Sequence, residues 1–348
     1  MKKEGKKNVR ILYIGNLLTR YGFTPGVIDT LGPLLEREGY IVDYAGACKN
    51  QFWRLLDMLW KTLTIGRKVN YIIIDTYSTS AYWYAYFTSV VARMIETPYI
   101  PLLHGGDLPK RLKQSKRISD SLFNNSYANI AVSAYLKHEF EKAGYKTIVI
   151  PNSIDISKYP FKFRDQPRPK LLWVRSFHQQ YNPNMAADVL KELLKSHPDS
   201  ELCMVGPDKD GSMQEFRNYI ETLGIGDHVK ITGLLKKEEW IKLSDDYDFV
   251  INTTNVDNTP VSVIEAMALG LCVISTNPDG IPYLLNDSKD SMLVMPGDYS
   301  TMAKHICTII KKPGFAKQLS TNARSKAESF DWVILREKWI RLLSPVDK

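Results

Sequence analysis

Cysteine is scarce. Four residues, Cys48, Cys203, Cys272 and Cys307, are scattered over 348 positions with no C-x-x-C spacing. That excludes a disulfide framework and a thiolate zinc site, and it fits a reducing cytoplasm. Long apolar runs are also missing. A membrane-spanning helix needs about 20 apolar residues, and the best candidate, "STSAYWYAYFTSVVARMI", is broken by polar residues and Arg93, so a buried helix is expected there. The basic start, "MKKEGKKNVR", runs straight into the strand-like "ILYIG" and lacks the apolar segment and cleavage site of a signal peptide. No internal repeat or low-complexity segment is present. The loop "YIGNLLTRYGFTPG" holds three glycines but no G-x-G-x-x-G, so it is not a dinucleotide fingerprint.

What is present is an alternation of short apolar, β-branched runs with helical patterns. The first half carries "VRILYIG", "YIVDYAG", "NYIIID", "YIPLLHG", "ANIAVS" and "TIVIPN"; the second carries "KLLWVR", "ELCMVG", "HVKITG", "DFVINT", "LCVIST" and "SMLVMP". Continuous apolar strands separated by helices predict parallel sheets covered on both faces. Six per half predicts an α/β protein of two Rossmann-like, doubly wound domains facing across a cleft, with strand C-terminal ends and ligands at that cleft. The expected domains are 1–160 and 168–325, with 326–348 as a C-terminal helix returning to the first. The proline- and charge-rich "SKYPFKFRDQPRPK", residues 157–170, reads as the linker.

The net charge of +8 is uneven. Residues 1–165 hold 15 Lys and 9 Arg against 14 acids, and the remainder is slightly acidic. Either the first half faces an anionic surface or substrate, or its surface is simply basic and solvated. "NQFWRLLDMLWKTLTIGRK" (50–68) mixes aromatic and basic residues, and "KRLKQSKR" (110–117) adds five cations. These segments lie on an anionic membrane face, meet a lipid-diphosphate acceptor, or form a core-facing helix and a solvated loop. No nucleic-acid motif accompanies the charge.

The stretch "DNTPVSVIEAMALG" (257–270) puts Asp257 and Glu265 around the start of a short apolar helix. The spacing predicts a helix over 260–269, with Asn258 or Thr259 at the N-cap, Pro260 at N1 and Gly270 at C′. Its open N-terminus is an anion site suited to a diphosphate. The two acids could accept sugar and ribose hydroxyls. They could equally complement the helix dipole and a buried polar network.

The run "DNTPVSVIEAMALGLCVISTNPDGIP" resembles the donor-binding motif of the family-4 (group 1) retaining glycosyltransferases with the GT-B fold. Asp257 stands where that family more often has glutamate. "VIPNSIDISKYPF" (with Asn152 and Asp155), "MVGPDKDG", "LGIGDHVKITGLL" and "FDWVILREKWIRLL" extend the similarity over most of the chain. The resemblance implies a nucleotide-diphosphate-sugar donor held by the second domain. Asp257 would contact the transferred sugar and Glu265 the ribose. Asn258, Thr259, Pro260 and Val261 would supply backbone to sugar and phosphate, and Gly206, Gly233, Leu234 and Leu235 would lie near the base. His104 in "YIPLLHGGDLP" would meet the sugar near the reaction centre, with Gly15 and Asn16 approaching the phosphate. "LLWVRSFHQQYNP" places Arg175, Ser176 and His178 by the diphosphate, with Tyr181 where the family has a lysine. His104, Asp257 and Arg175 are therefore the expected catalytic residues.

The implied enzyme transfers a hexosyl group with retention, without a cofactor, using a UDP- or GDP-sugar as substrate. The acceptor would be a glycan, glycolipid or polyprenyl-linked molecule. The protein would sit in the cytoplasm, with peripheral contact between its N-terminal domain and the inner, anionic face of a membrane. No metal is expected: the D-x-D matches "DKD" (208–210) and "DYD" (246–248) read as coincidence. A non-catalytic sugar-nucleotide-binding or scaffold subunit, and a nucleotide-sugar epimerase on the same fold, are the alternatives.

Overall fold

The computed structural model describes residues 9–23 and 25–344. Most of the basic start, residues 1–8, lies outside the described residues. The chain divides into two units, 1–153 with 332–348, and 154–331.

The first unit contains strands β1 (Arg10–Ile14), β2 (Ile41–Ala45), β3 (Tyr71–Thr76), β4 (Tyr99–Leu103), β5 (Asn129–Ala131) and β6 (Thr147–Val149). Its helices are α1 (Ile28–Arg37), α2 (Gln51–Ile65), α3 (Ala81–Met94), α4 (Leu108–Gln114), α5 (Lys116–Phe123) and α6 (Ala134–Lys142). The second unit contains β7 (Lys170–Val174), β8 (Glu201–Val205), β9 (Val229–Gly233), β10 (Phe249–Asn252), β11 (Cys272–Thr276) and β12 (Met292–Val294). Its helices are α7 (Pro183–Leu194), α8 (Ser212–Leu223), α9 (Lys237–Leu243), α10 (Val261–Ala268), α11 (Ile281–Leu284), α12 (Tyr299–Lys311) and α13 (Pro313–Glu328); α14 (Trp332–Leu343) belongs to the first unit.

The expected fold class holds. Each sheet has six strands, every strand pair is parallel, and each strand falls on an apolar run. The orders are β2-β1-β3-β4-β5-β6 and β12-β11-β10-β7-β8-β9. In each sheet the strand order reverses once, between β1 and β3 and between β7 and β10. At such switch points the loops diverge to opposite faces and leave a crevice at the strand C-termini. β3 is buried at all six positions and β11 at all five, because helices cover both faces.

The stretch expected as a linker is built into the second unit. Tyr159 and Arg164 are each 3% exposed. Arg164 donates to the carbonyls of Lys162 (2.8 Å), Leu269 (2.6 Å), Tyr247 (3.2 Å) and Ser244 (3.2 Å) and lies 3.8 Å from Asp248. Its proline and charge content reads as solvated loop only until the charge finds those carbonyls. The units therefore divide at Ser153/Ile154 and at Asp331/Trp332, some residues from the expected boundaries. From Trp332 on, the chain packs in the first unit: Trp332, Trp339 and Leu343 join its core, and Trp332 Nε1 donates to Glu38 at 3.1 Å.

Two helices depart from expectation. Expected as buried, α3 leaves Trp83, Phe87 and Met94 exposed, and the aromatic residues of α2 point outward rather than into the core. All four cysteines are free thiols. Among the described residues no helix is long and apolar enough to cross a membrane.

Arg164→Met removes the donor to four carbonyls and one of the two arginines that pair with Asp248. Loss of one partner from such a buried network costs about 3 kcal/mol or more. Calorimetry is expected to show the melting transition of the second unit lowered accordingly, with that of the first unit unchanged.

Candidate functional site

In the second unit the candidate residues gather at the switch point between β7 and β10. Arg175 leaves the end of β7 and its guanidinium pairs with the carboxylate of Asp257 in the loop after β10, both side chains largely buried. Tyr181 lies under the arginine, with the guanidinium carbon 4.2 Å from the ring centre. The residue standing where the family has a lysine thus cradles the remaining cation instead of adding one. Desolvation alone lowers the Arg175 pKa, and the adjoining carboxylate and ring face oppose that loss of charge.

Gly206 explains how the arginine loop is seated. A Cβ at this position would stand 1.7 Å from the Arg175 carbonyl oxygen, and its φ of +152° suits glycine. Gly206 also donates to the carbonyl of Gly233 at 2.9 Å, joining the ends of β8 and β9. Beyond Gly233, Leu234 is 53% exposed and Leu235 packs partly into the core. Ser176 follows Arg175 in the same loop. His178 is occupied locally: Nδ1 accepts from the Gln180 amide at 3.0 Å and Nε2 lies 3.7 Å from Asp210.

The helix after β10 starts one residue later than expected. Pro260, not Asn258 or Thr259, is the N-cap of α10, and no side chain caps the helix. The reason lies upstream: Asp257 Oδ1 accepts from the Asn258 amide at 2.9 Å, which folds the turn back on itself and carries Asn258 into a buried position. Proline has no side-chain acceptor; the Val263 and Ile264 amides go to the Pro260 carbonyl at 3.1 and 3.3 Å, and those of Val261 and Ser262 are left to meet an anion. Gly270 follows the helix at φ +77°, the left-handed C′ position expected.

Glu265, 4% exposed, lies just over one turn into α10. Tyr159 Oη donates to Oε1 at 2.7 Å, and the Lys237 ammonium at the start of α9 meets the same oxygen. No donor among the described residues reaches Oε2. Burial and the neighbouring Glu265 carboxylate push the Tyr159 phenol well above its ordinary value.

In the first unit the group centres on His104, 4% exposed, just after β4. Its Nε2 lies 3.1 Å from Asp75 Oδ1, and Tyr13 Oη donates to the same oxygen at 3.0 Å. Tyr77 stacks on the imidazole with ring centres 4.8 Å apart. Gly15 ends β1 against this cluster, where a Cβ would come within 2.5 Å of Asp75 Oδ2. Asn16 Oδ1 is buried without a hydrogen-bond partner. A carboxylate on one imidazole nitrogen fixes ring orientation and tautomer and leaves the other nitrogen for a ligand.

The residues that sequence reasoning missed are the supports: Asp75, Tyr13 and Tyr77 around His104, and Tyr159 and Lys237 around Glu265. Asp75 had a signal, a charge closing the buried run "NYIIID". Tyr159 was hidden in the supposed linker, and nothing marked Lys237. Three of the four D-x-D carboxylates are structurally engaged. Asp208 accepts from Gly211 N at 3.0 Å, Asp210 from Gln179 N at 3.0 Å and Ser212 Oγ at 2.5 Å, and Asp248 pairs with Arg164 and Arg168.

Residues 155–326, nearly the whole second unit, match the family described as Glycosyl transferases group 1. The chain belongs to the group 1 glycosyl transferases. Among curated relatives, the amylovoran biosynthesis glycosyltransferase AmsK of Erwinia amylovora is 23% identical over 68% of this chain and 61% of its own length. A Campylobacter jejuni α-1,4-N-acetyl-D-galactosaminyltransferase, named for a GalNAc–diNAcBac–PP-undecaprenol glycan, is 24% identical over 51% of this chain and 48% of its own length. The chain thus spans about half to three fifths of the length of these relatives. Solved structures agree in fold over nearly the whole chain. HepE of Anabaena with UDP and glucose superposes with a TM-score of 0.78, covering 97% of this chain and 100% of HepE at 19% identity. The lipopolysaccharide outer core galactosyltransferase WaaB gives 0.69, covering 96% and 99% at 16% identity. The fold is that of the GT-B glycosyl transferases.

Two predictions follow from the geometry of this group 1 domain. Removing one member of a buried ion pair leaves a stranded charge, whereas removing both does not. Arg175→Met is therefore expected to cost about 3 kcal/mol in denaturant unfolding, and Arg175→Met with Asp257→Asn clearly less than the sum of the two single changes. The second concerns pH. A phenol whose pKa is raised on folding leaves stability intact below the unfolded value of about 10, and stability falls as pH rises from there toward the folded value. The alkaline loss of stability of the second unit should be shallower in Tyr159→Phe than in the parent when melting is followed above that pH.

Proposed function

We propose that this group 1 glycosyl transferase moves a hexosyl group, with retention, from a nucleotide-diphosphate-sugar to a glycan or polyprenyl-linked acceptor in polysaccharide or glycolipid assembly. The observation that carries the reading is the uncapped start of α10 beside the Arg175–Asp257 pair, with Glu265 Oε2 open one turn further on. Arg175 cancels the charge of Asp257, which would otherwise repel a diphosphate at the helix start. The helix N–H groups stabilise the departing diphosphate as its charge grows. Glu265 Oε2 accepts a ribose hydroxyl, and Asp257 holds a hydroxyl of the sugar. In the first unit, Asp75 orients His104. The reading runs without a metal, with Asp208, Asp210 and Asp248 of the D-x-D matches committed to loop and ion-pair contacts. UDP leads the candidate nucleotides because HepE was crystallised with it.

Tyr181 in place of a second cation favours one other reading, a subunit that binds the donor without turning it over. Thermal unfolding with UDP, GDP, ADP, CMP and dTDP tests both. One nucleotide is expected to stabilise the chain by about 2.7 kcal/mol at a hundredfold excess over Kd, and Glu265→Gln to lose most of that shift. The matching sugar nucleotide with a polyprenyl-linked glycan extract should release free nucleotide. A shift without release selects the non-catalytic subunit, and no shift with any nucleotide removes the donor site.

A further inference from the structure

Lys237 is placed against the ordinary preference of a helix. It is the first residue of α9, and Lys236 precedes it at the N-cap. The start of a helix carries partial positive charge and favours acids. Glu238 and Glu239 meet that preference, and Glu239 accepts from the Lys236 amide at 2.7 Å. Lys237 does not, and its side chain turns instead to Glu265, 28 positions away on α10. The loop that delivers it is fixed at both ends. Gly233 closes β9 at φ +72° and its carbonyl accepts from Gly206, while Trp240, 4% exposed, anchors α9 in the core of the second unit.

The two partners are unequal. Glu265 is buried, whereas the Lys237 side chain is 46% exposed. A buried carboxylate is costly to keep charged without a partner. Tyr159 is neutral, and Lys237 is the one cation among the described residues in ion-pair contact with Glu265. The ammonium therefore offsets the carboxylate charge from the solvent side.

The hydrogen bonds show what is left for a ligand. A carboxylate has about four lone-pair sites, two on each oxygen. Tyr159 Oη and Lys237 Nζ take the two on Oε1. No donor among the described residues reaches Oε2, so both of its sites stay open. A ribose offers a matching pair of donors in its 2′- and 3′-hydroxyls. With Lys237 removed, Oε1 regains an open site. The carboxylate is then free to turn about its last torsion, which has broad minima, and the fixed pairing of Oε2 with a vicinal diol is lost.

We propose that Lys237 is a positioning residue for the nucleotide ribose: it holds Glu265 charged and in one orientation, so that Oε2 accepts the 2′- and 3′-hydroxyls together, and it thereby sets a preference for ribose over 2′-deoxyribose. The inference rests on the donor-site reading, in which Glu265 meets the ribose, and adds the residue that makes that contact selective.

The test is isothermal titration of the full chain with UDP, GDP, ADP, CMP and dTDP, followed by the 2′-deoxy counterpart of the ribonucleotide that binds. The parent is expected to bind the ribonucleotide about tenfold or more tightly than the deoxynucleotide. Lys237→Met keeps most of the side-chain length and should weaken ribonucleotide binding about tenfold while affecting the deoxynucleotide much less, so that the preference shrinks toward one. Its binding of the deoxynucleotide also reports that the site is folded. Lys237→Arg retains the charge and should restore the preference. With the matching sugar nucleotide, Lys237→Met should raise KM and leave kcat nearly in place, because the ribose lies away from the bond that breaks. A Lys237→Met chain with the parent's ribose preference overturns the proposal. An equal loss for both nucleotides also overturns it, since that result places the ammonium on the phosphates or gives it a role in the fold alone. Preferential binding of dTDP by the parent does the same. No binding of any nucleotide by the parent removes the donor site itself and the proposal with it.

Discussion

Parallel pairing is the constraint from which the candidate site descends. When every strand of a sheet runs the same way, all C-terminal ends and the loops that follow them collect on one edge. Where the strand order reverses, two of those loops part and leave backbone groups and side chains facing a common space. In the second unit this happens between β7 and β10, the strands that deliver Arg175 and Asp257. In the first it happens between β1 and β3, the strands that deliver Gly15 and Asp75. The same topological event thus organises both clusters, although they share no motif.

Charge burial is the second theme. Asp75, Glu265 and Asp248 are each at most 5% exposed, and each is matched by donors on a different element. For Asp248 the donors are Arg164 and Arg168 and the result is structural, pinning residues 164–168 to the unit. For Asp75 and Glu265 two donors converge on one carboxylate oxygen. A buried carboxylate with its desolvation cost offset at one oxygen keeps a strong acceptor in place at the other. Arg175 and Asp257 follow the same logic as a mutually neutralised pair, which permits an anion at the adjoining helix start.

Helices α2 and α3 show a different economy. Their inward faces mix Met58, Tyr82, Ala85 and Ala92 with Arg54, Thr62, Thr88 and Ser89, while Phe52, Trp53, Trp60, Trp83 and Phe87 stay exposed. Such an arrangement lowers the stability of the isolated chain relative to a conventional helix pair.

The sequence by itself determined the twelve strands, their parallel pairing and the doubly wound class, because a run of β-branched residues closed by a turn needs no tertiary information to be read. It also placed Asp257, Glu265, Arg175 and His104 in strand-end loops or the helix that follows, since motif spacing survives without coordinates. Only the tertiary structure decided what those groups touch. Tyr159 and Glu265 are 106 positions apart, and Asp75 and His104 are 29 apart, so no local pattern links them. It also decided which way α2 and α3 face. Residues 52, 53, 56, 60 and 63 make an apolar stripe in either orientation, and the sequence pattern is blind to the side on which the sheet lies. The rotation of α2 is marked by Met58 and Thr62 turned inward and by Lys61 donating to the Tyr44 carbonyl on β2, a contact that exists only once the chain has folded.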